Sequence, residues 1–144
     1  MVNDWFIGKQ RHSIDDKNRV FIPSKFREKL GDKVYITKSL TEKCIRLYSA
    51  DGFSKYIEET IDKLPKIEAG EKIAWLGANS EELNIDAQGR IALPSEYKEY
   101  ASITKNVVSS GAFYYVCMWD ENIFDSQEAE NNINDLRKYI QSKE

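Results

Sequence analysis

The chain has 144 residues, 41% of them hydrophobic and 31% charged, with three prolines, seven glycines and a net charge of −3. This is the make-up of one ordinary globular domain, or of two small halves sharing a core, and it excludes collagen-like, mucin-like and wholly disordered chains. No run approaches the roughly 18 apolar residues of a membrane span. The start, MVNDWFIGKQRHSIDD, has neither the basic opening nor the apolar middle of a secretion signal, so a cytoplasmic protein is expected.

In chain order, Trp5 to Ile14 is a strand candidate with imperfect alternation, followed by the polar turn Asp15-Asp16-Lys17-Asn18. Arg19–Ile22 is a short strand of residues at home in a sheet. Pro23 suits the first turn of a helix over Ser24–Leu30, which Gly31 stops. Strands are expected near Lys33–Lys38 and Cys44–Ser49. Gly52–Leu64 then places Phe53, Tyr56, Ile57, Ile61 and Leu64 on one helical stripe that Pro65 ends, and Ile67–Leu76 reads as a second helix.

The next stretch repeats the first. Residues 14–30, IDDKNRVFIPSKFREKL, align without a gap on residues 85–101, IDAQGRIALPSEYKEYA, at an offset of 71. Six positions are identical: Ile14/Ile85, Asp15/Asp86, Arg19/Arg90, Pro23/Pro94, Ser24/Ser95 and Glu28/Glu99. Val20/Ile91, Ile22/Leu93, Phe26/Tyr97 and Arg27/Lys98 are chemically close, and the offset holds again through Ile45/Val116, Leu47/Met118, Tyr48/Trp119 and Phe53/Phe124. The second copy therefore predicts a turn at Asp86–Gly89, a strand at Arg90–Leu93, a helix at Ser95–Tyr100 and strands near Lys105–Ser110 and Phe113–Trp119. From Asp120 the tail is helical in pattern, with Ile123, Phe124, Ile133, Leu136 and Ile140 in a polar background.

A unit of about 50 residues buries too little apolar surface to stand comfortably alone. Two copies in one chain are expected to pair as a pseudo-dimer, an α+β fold built on a compact, interleaved barrel. Its expected core is Val20, Phe21, Ile22, Phe26, Val34, Ile36, Ile45 and Leu47 with their second-copy partners. Residues 7–54 and 77–124 would be the two repeats, 55–76 a helical connector and 125–144 a C-terminal helix.

The chemistry sits in the repeated Asp-x-x-x-Arg turn, Asp15 to Arg19 and Asp86 to Arg90. An Asp opening a turn accepts bonds from the amides that follow, and an Arg fork meets a carboxylate, a phosphate or a guanine edge. Spacing alone leaves two readings open: a structural clamp, or a rigid loop presenting Arg to DNA. Charge is uneven, with 15 basic against 12 acidic groups in residues 1–72 and 6 against 12 in residues 73–144. No enzyme is expected, since no GxGxxG, GxxxxGK[ST] or GxSxG motif occurs. His12 and Cys44 give no hint of meeting as base and nucleophile. No cofactor or metal is expected either: one histidine, with Cys44 and Cys117 lying 73 residues apart and no CxxC, argues against a zinc site within a single chain. The cysteines read as reduced packing residues. The Tyr114-Tyr115 pair reads as packing rather than a base-stacking platform, and Glu58-Glu59 and Glu81-Glu82 as solvated surface.

Taken together, Gly8 seven residues before Asp15, the IDDKNRVFIPSKFREKL block, the Cys44–Tyr48 strand and NIDAQGRIALPSEYKEYA resemble the MraZ family of bacterial transcriptional regulators, with two tandem SpoVT/AbrB-type units. The resemblance implies a swapped-hairpin, double-split β-barrel with flanking helices, assembled into rings of eight or twelve subunits. It implies a nucleoid-associated repressor that binds G-rich direct repeats upstream of the division and cell-wall gene cluster, with no membrane or small-molecule partner. On the matching positions, Arg19 and Arg90 are the expected DNA contacts and Asp15 and Asp86 fix the loops. Lys17 and Gln88 ride on the same loops, and Arg11 and Lys25 are nearby basic residues. The stretch 108–115 departs from the Gly- and Ile-rich strand pair common in relatives. The alternative is an oligomeric antitoxin-like or scaffolding protein of the same barrel class acting on a protein partner.

Overall fold

The computed structural model describes residues 4–143; positions 1–3 and residue 144, the end of the expected C-terminal helix, lie outside the described residues. The first repeat supplies β1 (Lys9–Ser13), β2 (Arg19–Phe21), α1 (Ser24–Leu30), β3 (Lys33–Lys38) and β4 (Ile45–Tyr48). Helices α2 (Ala50–Asp62) and α3 (Lys66–Ala78) lead to β5 (Ser80–Asn84), β6 (Arg90–Ala92), α4 (Ser95–Tyr100), β7 (Asn106–Gly111) and β8 (Val116–Asp120). The tail forms α5 (Glu121–Glu130) and α6 (Ile133–Ser142). Asn131 and Asn132 divide these two helices, and Asn132 opens α6 with a reciprocal capping box to Asp135.

The repeats exchange strands. One antiparallel sheet runs β1-β7-β8-β4-β3-β5, so β1 of the first repeat edges the second repeat's strands and β5 edges the first's. A separate ribbon pairs β2 with β6. Two paired positions are each other's equivalents at the offset of 71, Val20 opposite Ile91 and Arg46 opposite Cys117. A pseudo-two-fold axis therefore passes through the ribbon and through the centre of the sheet. The fold is the α+β, interleaved arrangement that the repeats predict, with the swapped hairpins that the family resemblance implies.

Between ribbon and sheet lies the shared core. Val20, Ile22, Phe26, Val34, Ile36, Ile45 and Leu47 are buried with Ile91, Leu93, Tyr97, Val107, Val116 and Met118. Phe21 is a correction: it is 50% exposed. Val-Phe-Ile reads as a continuous apolar run, but a strand sends neighbouring side chains to opposite faces. Val20 takes the inward face, and Phe21 is turned outward. Trp5–Ile14 is also shorter as a strand than expected. Gly8, at φ +91°, turns the chain before Lys9, leaving Phe6 on an isolated bridge to Phe113.

The exchanged strand β1 carries the single histidine. His12 is half-buried and its Nε2 lies 2.8 Å from the Ser109 Oγ of β7. Burial disfavours the charged imidazole and lowers its pKa below the ordinary 6.5. The neutral form therefore stabilises the fold fully above that value, and the contribution is lost as pH falls below it toward the folded-state pKa. The melting temperature is expected to drop on mild acidification from neutral pH. His12→Gln should flatten that part of the profile; an unchanged slope in the variant would show that His12 is not its source.

Candidate nucleic-acid interface

Both Asp-x-x-x-Arg turns close in the same way. Asp15 Oδ1 accepts the backbone amides of Lys17 at 2.9 Å and Arg19 at 2.8 Å, while Oδ2 accepts Arg19 Nε at 2.8 Å. Asp86 Oδ1 accepts the amides of Gln88 at 2.9 Å and Arg90 at 2.8 Å, and Oδ2 accepts Arg90 Nε at 2.9 Å. The Asp15 and Asp86 amides donate to the Arg19 and Arg90 carbonyls, each at 2.9 Å. Two stretches with different middles thus fold to one geometry because the Asp, the Arg and one left-handed residue are shared.

That left-handed residue is Asn18 at φ +60° in the first loop and Gly89 at φ +85° in the second. Their carbonyls tie each loop to the other repeat: Ile22 N donates to Gly89 O at 2.9 Å, and Leu93 N to Asn18 O at 2.8 Å. A Cβ on Gly89 would also press into the Arg27 guanidinium. Gly89→Val is therefore expected to cost about 1–2 kcal/mol from the backbone alone and to displace Arg27. Asn18→Gly should be tolerated. Thermal melts of the two variants check the contrast.

The clamp uses only Nε of each arginine; among the described residues no hydrogen bond engages the Nη groups of Arg19 or Arg90. Their side chains are 37% and 21% exposed. Clamp and presentation are thus compatible roles for one residue. The amide of Arg19 is the largest cause holding the Asp15 carboxyl below its usual range; burial is the next in size and opposes it, and the Arg19 guanidinium and the Lys17 amide add to the lowering. Asp86 is lowered in the same way by Arg90 and Gln88. Both carboxylates stay charged, so the guanidiniums stay oriented.

In the ribbon, Arg19 stands opposite Ala92 and Phe21 opposite Arg90, while Val20 and Ile91 point to the core. One face therefore carries Arg19, Phe21, Arg90 and Ala92, with the exposed Lys17 and Gln88 on the flanking loops. The other expected residues are placed differently. The Arg11 guanidinium, on β1, is held by Asp125 at 2.9 Å and Glu121 at 3.2 Å of α5. Lys25 Nζ donates to the Lys9 carbonyl at 3.3 Å. Two residues beside the loops are not among the expected site residues. Arg27 covers Gly89, and its equivalent Lys98 donates to Asn18 Oδ1 at 3.1 Å. The signal was present in the Arg27/Lys98 match, whose shared charge marks two helices reaching across to the opposite loop.

The geometry defines a class: a duplicated, strand-swapped barrel that presents a pair of clamped arginine loops about one axis. Comparison with known proteins narrows it. The family profile described as "MraZ protein, putative antitoxin-like" matches residues 5–72 and again 76–141. The transcriptional regulator MraZ of Clostridium acetobutylicum is 41% identical over 120 residues, covering 81% of this chain and 82% of its own. That of Natranaerobius thermophilus is 37% identical over 139 residues (94% and 96%), and that of Caldicellulosiruptor saccharolyticus 34% over 140 residues (96% of each). The chain belongs to the MraZ family.

Proposed function

We propose that this chain is a sequence-specific DNA-binding transcriptional regulator, a repressor of the division and cell-wall gene cluster that recognises G-rich direct repeats. The relatives' shared name supports the regulatory role. The observation that carries the DNA reading is the twin loop: Arg Nε is spent on the Asp clamp, and the two Nη groups remain as a fork of the kind that meets guanine O6 and N7. Lys17 and Gln88 add contacts from the same loops. Phe21 offers an apolar surface suited to a thymine methyl. Lys25 contributes positive field. Arg11, offset by two carboxylates, contributes less.

A single pair of loops binds weakly, and linking several pairs multiplies apparent affinity. A ring of eight or twelve copies, with residues 7–54 and 77–124 as its DNA-facing halves, the connector 55–76 and the tail 125–144, would line such loops up in one sense and so match direct repeats. Exposed Ile133, Leu136, Tyr139 and Ile140 on α6 support self-association. The same exposed helix is what favours the second reading, an antitoxin-like or scaffolding role toward a protein partner. We place the protein in the cytoplasm at the nucleoid; among the described residues no helix is long and apolar enough to cross a membrane.

The test is a fluorescence-anisotropy titration against duplex DNA from upstream of its own gene, with a scrambled duplex and a salt series. A preference for the native duplex that falls steeply with salt is the expected result. Equal, feeble binding to both duplexes overturns the DNA reading in favour of a protein partner.

A further inference from the structure

The face of the central sheet turned away from the shared core carries a cluster that DNA recognition does not use. Ile45 and Leu47 of β4, with Val116 and Met118 of β8, point into the core, so alternation sends Cys44, Arg46, Cys117 and Trp119 to the other side. Arg46 lies directly opposite Cys117, which puts Cys44 on the diagonal, one repeat's cysteine beside the other's. Glu42 returns over them through a tight turn in which Cys44 N donates to the Glu42 carbonyl at 2.9 Å. The carboxylate oxygen and the two sulfurs lie within 4.8 Å of one another.

We propose that Glu42, Cys44 and Cys117 form a binding site for a thiophilic d10 cation, Zn2+ or its probe Cd2+, with water in the fourth position. A tetrahedral ion holds its thiolate ligands at about 2.3 Å, which sets neighbouring ligands roughly 3.8 Å apart, a span this cluster reaches by side-chain adjustment alone. Two thiolates and one carboxylate outweigh a divalent ion by one negative charge. The Arg46 guanidinium, on the same face and held 4.2 Å from the Tyr115 ring centroid, supplies the balancing positive charge. On binding, two S–H bonds break, two sulfur–metal bonds form and both protons pass to water. The cysteines are 0% and 5% exposed, and the exposed Glu42 marks the open side. Such an ion ties the repeats together beside the pseudo-two-fold axis. The 73-residue separation that argued against a metal site in the sequence is cancelled by the pairing of β4 with β8.

The experiment titrates Cd2+ and then Zn2+ into the reduced full-length protein. One equivalent of Cd2+ per chain is expected to give a thiolate-to-metal absorption band, which Zn2+ removes by competition. Cys44→Ser and Cys117→Ser should each abolish the band. Glu42→Gln, at an exposed position that cannot disturb the core, should weaken affinity by about tenfold or more. No band in a protein whose two thiols both titrate as free overturns the proposal. So does a band that survives either cysteine variant, or an affinity unchanged in Glu42→Gln.

Discussion

Arg19→Ala is expected to lower affinity for the native duplex by roughly 5- to 150-fold for each loop engaged, the equivalent of about 1–3 kcal/mol for a lost bidentate base contact. In an oligomer using several loops at once the losses compound, and the double variant Arg19→Ala/Arg90→Ala should bind native and scrambled DNA equally poorly. The sedimentation behaviour and the melting temperature should hardly change. The Arg19–Asp15 pair is partly exposed, and such pairs contribute little to stability; the loop also keeps its amide bonds to Asp15 Oδ1. Arg19→Lys sharpens the test. Lysine keeps the charge but not the planar fork, so salt-dependent affinity should persist while preference for the native sequence falls. Sedimentation of the alanine variant separates the roles: a protein that dissociates or unfolds shows that Arg19 is a clamp and nothing more.

The loops were legible because they are duplicated. Asp15/Asp86 and Arg19/Arg90 stand out only when the copies are aligned, and their nearly identical hydrogen bonds follow from the shared residues. Other features were hidden by what a linear reading lacks. Phe21 lay inside an apolar run too short to show its alternation. The offset also shifts: β3 and β7 begin at Lys33 and Asn106, an offset of 73, before β4 and β8 return to 71. A longer passage after α4 and a shorter one before β8 cancel, so the seventh strand begins two residues later than the repeat alone suggests. The surroundings of Arg11 came from α5, more than a hundred residues away, which no local pattern reports. The Cys44–Cys117 meeting is a product of strand order.

Phe26→Ala carries the largest expected effect on stability, and it tests whether the repeats are one unit. Phe26 is 1% exposed, in the middle of α1, with its ring edge-on to Phe6 at 5.9 Å. Removing a buried aromatic ring costs about 3–5 kcal/mol, because the cavity it leaves collapses only in part. Against a domain stability of about 5–15 kcal/mol, the melting temperature should fall by roughly 10–20 °C. The swapped topology makes a stronger statement. Phe26 belongs to the first repeat, but its core is shared with Leu93, Val107 and Met118 of the second, and each loop is bonded to the opposite strand. Unfolding in urea should therefore remain a single transition, and the buried Trp119 of the second repeat, observed alone after Trp5→Phe and Trp75→Phe, should shift with it. A Trp119 transition that stays at its original midpoint while the rest of the chain unfolds earlier would mean that the halves fold separately. The exchange of strands would then be a matter of connectivity, with no consequence for cooperativity or for the coupling of the two arginine loops.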